Sequence, residues 1–373
     1  MEVKKYKMKD IVTFLNGRAY LMPELQEKGK YRILRVGNLS GGNDSWFYSD
    51  MELDENKYCK KGDLLYAWAC SFGPHIWKEE KVIFHYHIWK LIENKDRVDK
   101  IYLYYYLLHQ TPFYLGGVNG ATMVHITKQN MEKKTVYIPS SLPIQQKIAS
   151  ILSTYDTLIE NNNRRIRLLE QMAENLYKEW FVRFRFPGHE KLENGLPKEW
   201  DIKPLKTLCE FRKGKNITAS EMCEGTYPVI SAGLSPSGFH NKSNVHGVSV
   251  TMSSSGANAG YISIHYDDIW AADCSYISEE QTEEIFYVYE VLNNIRQIIN
   301  NYQMGAAQPH VYPKDINRIK ICIPPKKLRI KANNILAKFH KEIDKLAQQN
   351  TLLTRQRDLL LPRLMSGKLK VKP

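Results

Sequence analysis

Several signatures are missing from this chain, and each absence narrows what it can do. No apolar run approaches the roughly 20 residues that span a bilayer; the longest, such as 101–108, are far shorter. The opening stretch MEVKKYKMKDIVTF is charged and has no hydrophobic signal core, so a cytoplasmic protein is expected. The six cysteines, at 59, 70, 209, 223, 274 and 322, include no C-x-x-C pair. That argues against a zinc ribbon or a redox dithiol and predicts six reduced thiols, most of them in the core. Neither G-x-G-x-x-G nor G-x-x-x-x-G-K-[ST] occurs, which removes the dinucleotide and P-loop folds. The N/D-P-P-Y/F tetrapeptide of amino-methyltransferases and the G-x-S-x-G nucleophile elbow are missing as well. Pro324 and Pro325 follow Ile323 and precede Lys326, and mark a hinge instead. His85 and His87 share one face of a predicted strand. They lack third and fourth ligands nearby and read as a stacking or core pair rather than a metal site. No catalytic residue and no metal ligand is predicted.

What is present is a chain of 373 residues, 43% hydrophobic, with 23 Tyr and 12 Phe. That composition supports two or three packed domains and excludes a disordered chain. The net charge of +13 is unevenly spread. Residues 326–373 hold 13 Lys/Arg against three Asp/Glu, a surplus of ten, which leaves only three for all the rest. A basic arm of this kind suits nucleic acid or an acidic partner, or forms a solvated helix face.

The chain is an internal repeat. At an offset of 185 residues Gly62 meets Gly247, and Tyr102, Tyr104 and Leu107 meet Tyr287, Tyr289 and Leu292. Gly120, Ala121 and His125 meet Gly305, Ala306 and His310, and Ile138–Pro139 meets Ile323–Pro324. One offset holds over nearly 80 residues, which chance matches do not do. The period is the size of a domain plus a linker, too long for a solenoid. Each half runs from a globular segment, 1–142 or 188–325, to a long helical region, 143–187 or 326–373. The globular halves mix β-rich runs at 31–36, 63–69, 82–91 and 248–252 with one amphipathic helix each, near 98–109 and 283–302. The expected fold is α+β: two similar domains separated by two long helices.

In the first long helix a seam runs through Ile148, Ile151, Tyr155, Leu158, Asn162, Leu169 and Leu176. In the second it runs through Phe339, Ile343, Leu346, Asn350, Leu353 and Leu360, interrupted by Arg357. Such stripes predict a coiled coil, with Asn162 and Asn350 setting register. Pseudo-two-fold symmetry makes the pairing antiparallel. Pro187 is expected to close the first helix and Pro362 to end or kink the second.

The loops carry readout chemistry. In the first half these are Arg18, Tyr20, Arg35, Asn38, Ser40, Trp68, Ser71, Phe72, His75 and Trp77. In the second they are Lys213, Lys215, Asn216, the small-residue loop with Ser253, Ser254, Ser255 and Asn258, and Gln308 with His310. Arg pairs with guanine edges and Asn or Gln with adenine edges, while Lys and Ser take phosphates. Taken singly, each of these residues also fits an ordinary surface or turn.

The order of parts resembles the specificity subunit of type I restriction–modification systems. The resemblance covers essentially the whole chain. It rests above all on IPSSLPIQQKIASILSTYDTLIENNNRRIRLLEQMAENLYKEWFVRF at 138–184 and LLLPRLMSGKL at 359–369. The segments GDLLYAWACSFGP at 62–74 and YPVISAGLSPSGFHNKSNV at 227–245 look like pieces of target recognition domains. The resemblance implies a non-catalytic subunit that reads an asymmetric bipartite target in double-stranded DNA, with the helices fixing the spacer. It implies two modification (methyltransferase) subunits as partners, carrying S-adenosylmethionine, and restriction (motor-nuclease) subunits using ATP and Mg²⁺. The second helical region departs from the first: PPKKLRIKANNIL lacks the counterpart of Gln145–Gln146 and is far more basic. That departure puts equal docking of both modification subunits in question, and the basic face offers DNA phosphates an alternative contact. The competing readings are a coiled-coil scaffold or RNA-binding adaptor, and a divergent methyltransferase or nuclease.

Overall fold

The computed structural model describes residues 2–39, 45–115, 126–188, 192–193, 196–305 and 308–372. The chain divides into two units: residues 1–160 with 350–373, and residues 161–349.

The first unit is built on two four-stranded sheets. Strand Leu64–Ala67 is buried along its whole length. It is flanked by Ile88–Glu93 and Gly73–Ile76, with Val12–Asn16 beyond Ile88–Glu93, all antiparallel. In the second sheet Tyr31–Leu34 lies between Phe47–Ser49 and Val82–Phe84, and Tyr58–Cys59 closes the edge. Its Tyr31–Leu34 and Val82–Phe84 strands run parallel, Ile33 beside Ile83. Helix Lys100–Leu115 turns Tyr102, Leu103, Tyr106 and Leu107 into the core, the spacing of one helical face. Strands Val3–Lys7 and Thr135–Pro139 pair antiparallel and deliver the chain to the first long helix.

The second unit repeats this plan. Ser249–Ser253 lies between Ile262–His265 and Cys274–Ser278, with Arg212–Lys213 beyond the latter. Tyr227–Ile230 again pairs antiparallel on one side, with Gly238–His240, and parallel on the other, with Trp270–Ala271. Asp201–Pro204 pairs with Lys320–Ile323 just before the second long helix, and Ile285–Asn294 with Arg296–Asn300 replaces the single helix of the first unit. Both units are α+β, and the duplication in the sequence is a duplication of topology. Of the positions that carried the repeat, Gly120, Ala121, His125 and Ala306 lie outside the described residues.

The long helices span Leu142–Tyr177 and Lys326–Met365. Within each unit their segments run antiparallel. In the first unit Asp156 meets Arg357, and Ile148 and Leu152 share a core with Leu361, Leu364 and Met365. In the second, Asn162 donates to Gln349 at 3.5 Å and Arg165 pairs with Glu342 at 2.8 Å. Three seam expectations are corrected. Leu158 is 45% exposed, whereas Leu152 and Ala173 are fully buried, so the burial stripe follows 152, 159, 166 and 173 beside 148, 155, 162, 169 and 176. Pro187 does not close the first helix. Regular helix stops at Tyr177, and a wider turn over Lys178–Val182, with Arg183 N–H donating to the Lys178 carbonyl, buries Trp180 and Phe181. Pro362 does not end the second helix, which continues to Met365. One missing amide near a helix end removes a single bond from the ladder.

The two helix starts are held differently. Buried Gln145 accepts from Asp99 N–H at 2.8 Å and donates to the carbonyls of Arg97 and Pro139. In the second unit Arg329 pairs with buried Glu284 at 2.9 Å, and Asn333 accepts from Phe286 and Tyr287 N–H. All six cysteines are free; Cys59, Cys209 and Cys274 are buried, Cys322 is half-buried, and Cys70 and Cys223 are exposed. Cys322 packs against the core that holds Cys209, so four of the six thiols lie in or against a core, as expected. No described helix is long and apolar enough to cross a membrane.

Candidate nucleic-acid interface

Each unit carries the same local device at the start of its sheet. After strand Val12–Asn16 the backbone of Gly17 crosses so close to the neighbouring loop that a Cβ would lie 2.4 Å from the carbonyl oxygens of Phe84 and His85. Only glycine fits there. Arg18 follows, donating its N–H to Phe84 and accepting from Tyr86 N–H. In the second unit a Cβ on Gly214 would lie 2.4 Å from the Ala272 carbonyl, and Lys215 N–H donates to Ala271 at 2.9 Å. A glycine therefore brings a basic residue across the sheet edge twice.

Aromatic rings gather beside each crossing. In the first unit the Tyr20 ring stacks on His85, with 6.3 Å between centroids. His85 lies 4.8 Å from His87, and His87 meets Trp68 edge-on at 5.1 Å. The Trp68 indole N–H donates to the Tyr86 carbonyl. A cleft of about 310 Å³ lies here, lined by Asn16, Gly17, Trp68, Tyr86 and Lys128 among others. Burial, with the neighbouring His87 and Arg35 charges adding to it, pushes His85 down to about 4, and burial lowers His87 as well. Both rings are then neutral near pH 7 and offer hydrogen bonds rather than charge. Among the described residues no three His, Cys, Asp or Glu side chains are placed to hold a metal.

In the second unit the Trp270 indole N–H donates to the Lys215 carbonyl, and its ring meets His240 edge-on at 5.0 Å. A cleft of about 350 Å³ is lined by Lys215, Asn216, His240, Asn241, Lys242 and Trp270 among others. Exposed ammonium groups, amides and an aromatic face are the chemistry that contacts phosphates and base edges.

The structure sorts the sequence candidates. Arg18 and Tyr20 belong to the first cluster, although both guanidinium ends of Arg18 are held by Glu24 at 2.7 and 3.0 Å. Arg35 is exposed over the Phe47 ring. Asn38 turns inward, accepting from Arg35 N–H and donating to the Ser45 carbonyl, so its amide braces the loop. Ser40 lies outside the described residues. Ser71 is exposed; Phe72 packs on the core, and His75 is half-buried with its ring pushed toward the neutral form by burial. Trp77 is a core residue, 6% exposed, its N–H on the Glu80 carbonyl. Lys213, Lys215 and Asn216 are exposed. Ser253 and Ser255 are buried, bonding the Ala232 carbonyl and the Asp273 carboxylate, and so build the loop instead of facing a ligand. Half-buried Ser254 and Asn258 stay near the surface, and the Ser255 backbone bridges His310. Gln308 is exposed on the same loop pair.

Two basic residues leave the expected phosphate face. Lys326 is taken by Glu283 at 2.6 Å and Arg329 by Glu284. Sequence reasoning missed His240, Trp270 and Lys128. The repeat held a signal for one of them, since Trp270 is the counterpart of His85 at the 185-residue offset.

Comparison with known proteins follows the same outline. The profile of the type I restriction modification DNA specificity domain matches residues 1–171 and 197–355. The MjaIX type I restriction enzyme specificity subunit of Methanocaldococcus jannaschii is 26% identical over 310 residues, 74% of this chain and 71% of that one. The MjaVIII specificity subunit of the same organism is 28% identical over 221 residues, 58% of this chain and about half (51%) of its own length. In fold, the crystal structure of a type I restriction–modification S subunit from M. genitalium superposes with a TM-score of 0.64 at 18% identity, covering 97% of this chain and 96% of the other.

Proposed function

The chain belongs to the type I restriction–modification DNA specificity family, and from that premise we propose that it reads a bipartite target in double-stranded DNA, one half-site per unit. It is the non-catalytic recognition subunit; the chemistry belongs to other chains. Residues 1–142 and 188–325 act as target recognition domains, and 143–187 and 326–373 as the helical regions that fix the spacer and seat partners.

One observation carries this reading. The glycine crossing with its basic residue and aromatic cleft occurs once in each unit, as Gly17–Arg18 and Gly214–Lys215. The side chains around the two crossings differ: Tyr20, Trp68, Tyr86 and Lys128 in one, Asn216, His240, Asn241 and Trp270 in the other. Different edges read different bases, so the half-sites differ and the target is asymmetric.

Exposed apolar side chains on the long helices, Leu168 and Met172 in the second unit and Leu352 and Leu359 in the first, supply surface for two modification subunits. Those subunits bring S-adenosylmethionine and methylate adenine; restriction subunits bring ATP and Mg²⁺. The complex works where the cellular DNA is, in the cytoplasm. Co-expression with the methyltransferase encoded beside this chain, followed by sequencing of modified adenines, tests the proposal. A single bipartite motif with a fixed gap is the expected result. A co-purifying pair that leaves no new methylation refutes it.

A further inference from the structure

Along the two long helices the repeat offset is 184 residues. It pairs Leu152 with Leu336, both fully buried, and Tyr155 with Phe339. The same offset pairs Asp156 with His340 and Ala173 with Arg357, while the 185-residue offset of the shorter helices pairs Tyr105 with Glu290. In the first unit the Arg357 guanidinium fills the space so defined. Its Nη1 donates to Asp156 Oδ1 at 2.6 Å, and the other Asp156 oxygen accepts from the Tyr105 hydroxyl.

The second unit has the same position and no guanidinium to put there. Ala173, buried and short, stands where the first unit has Arg357. A cavity of about 520 Å³ lies in this region, within the size range of small-molecule sites. Buried Glu290, His340 and Tyr177 line it with Tyr266 and Tyr289; of the exposed carboxylates, Glu174 is already paired with Lys178, and Glu170 stands near Arg167 and Arg296. The His340 ring is fixed by stacking on Phe286, 5.0 Å between centroids, and by the Tyr266 hydroxyl 2.9 Å from Nδ1. Only 2% of His340 is exposed, yet its Nε2 has no hydrogen-bond partner among the described residues. Glu290 Oε1 lies 3.6 Å from that nitrogen, too far for a hydrogen bond. A buried polar atom left open in this way asks for a missing partner. In the tautomer whose Nδ1–H donates to Tyr266, Nε2 turns a lone pair toward the Glu290 carboxylate, an arrangement that a cation between the two satisfies, and aromatic faces wall the space. That is a receptor for an N–H-bearing cation. Among the described residues no three metal-ligating side chains converge here, and the counterpart position in the first unit holds a guanidinium, so the site favours an organic cation over a metal ion.

We propose that this cavity binds a small organic cation, a guanidinium or primary ammonium, seated between Glu290 and His340 in the role that Arg357 plays in the first unit. The site is independent of the DNA reading. The experiment is calorimetric titration of the full chain with agmatine at constant ionic strength, and with butylguanidinium and butylammonium to decide which head group is taken. Saturable binding at one site per chain is expected. Glu290→Gln should weaken it at least tenfold, and Ala173→Arg, which supplies the guanidinium from the chain itself, should abolish it, both with DNA binding retained. If Ala173→Arg does not fold, Glu290→Gln and the exposed Glu170→Gln carry the test. Heats no larger than those of added NaCl, or equal affinity in folded Glu290→Gln, overturn the proposal and leave solvent as the occupant.

Discussion

Gly17→Ala is the sharpest test of how each unit reads its half-site. The added methyl would meet the carbonyl oxygens of Phe84 and His85 at 2.4 Å, where contacts under 3.0 Å do not persist. The strand must move away by the difference, about 0.6 Å, or the Phe84–His85 loop must do so. Either shift moves Arg18, which hangs on this loop by two backbone hydrogen bonds, and Tyr20, which stacks on His85. Overpacking of this kind destabilises by about 1–3 kcal/mol, enough to see in a melting curve and not enough to unfold a domain. Loss of one well-placed base contact removes about 1–3 kcal/mol of discrimination, roughly 5- to 150-fold. The assay is competition binding by the assembled methyltransferase to duplexes altered in one half-site or the other. Gly17→Ala should lose discrimination at one half-site and keep it at the other. Gly214→Ala, which meets the Ala272 carbonyl at 2.4 Å, should do the reverse. A folded Gly17→Ala protein with a lowered melting temperature and intact discrimination at both halves would refute the reasoning, as would equal loss at both.

Removing one heptad from each long helix about the Asn162–Gln349 pair shortens both by roughly 10 Å. At about 3.4 Å per base pair the methylated motif should keep both half-sites and lose about three base pairs of spacer; an unchanged gap would sink the ruler. Arg357→Ala strips the half-buried Asp156 of its cation and should destabilise by about 1–2 kcal/mol in urea titration, while exposed Arg355→Ala should change little. Equal effects would show that the seam pair is idle. Burial pushes His265 from 6.5 to about 4. The unfolded chain therefore takes up a proton below pH 6.5 that the folded chain refuses, and stability falls as pH drops through 6.5 toward 4, by up to about 3 kcal/mol from this residue. His265→Gln should flatten that fall in urea titrations at pH 7 and 4.5; an unaltered slope would remove His265 as its source.

The duplication and the class of fold were legible because they are written in residues that tolerate little change. Gly62 and Gly247 both take positive φ, and Tyr102 and Tyr287 are both buried. Periodicity located the long helices but misplaced part of their seam. Ile151 and Leu158 continue an apolar spacing that Leu152 and Ala173 in fact bury, because two apolar rows one residue apart cannot be told apart by spacing alone. Prolines 187 and 362 misled for a related reason: local propensity yields to packing of Trp180 and Phe181 in one place and of Leu361 and Leu364 in the other. The readout loops were the least legible. Trp77 and Trp68 look alike in sequence, yet one is core and the other lines a cleft. Ser253 and Ser255 look like ligand contacts and are braces. Which face a loop residue presents depends on partners distant in the chain, as Asp273 is for Ser255.

The allocation of the second long helix has a consequence for how the protein is made. Leu361, Leu364 and Met365 complete a core otherwise drawn from residues 8–152. A ribosome works from the N-terminus, and domains usually close in that order. Here residues 8–152 hold an open apolar face until residues 361–365 are made, whereas the buried residues of the second unit are all present once residue 346 is out. Of the two units, the one begun before the other is therefore the one completed after it, and until residue 365 is made its core is the nascent chain's point of exposure to chaperones and to aggregation.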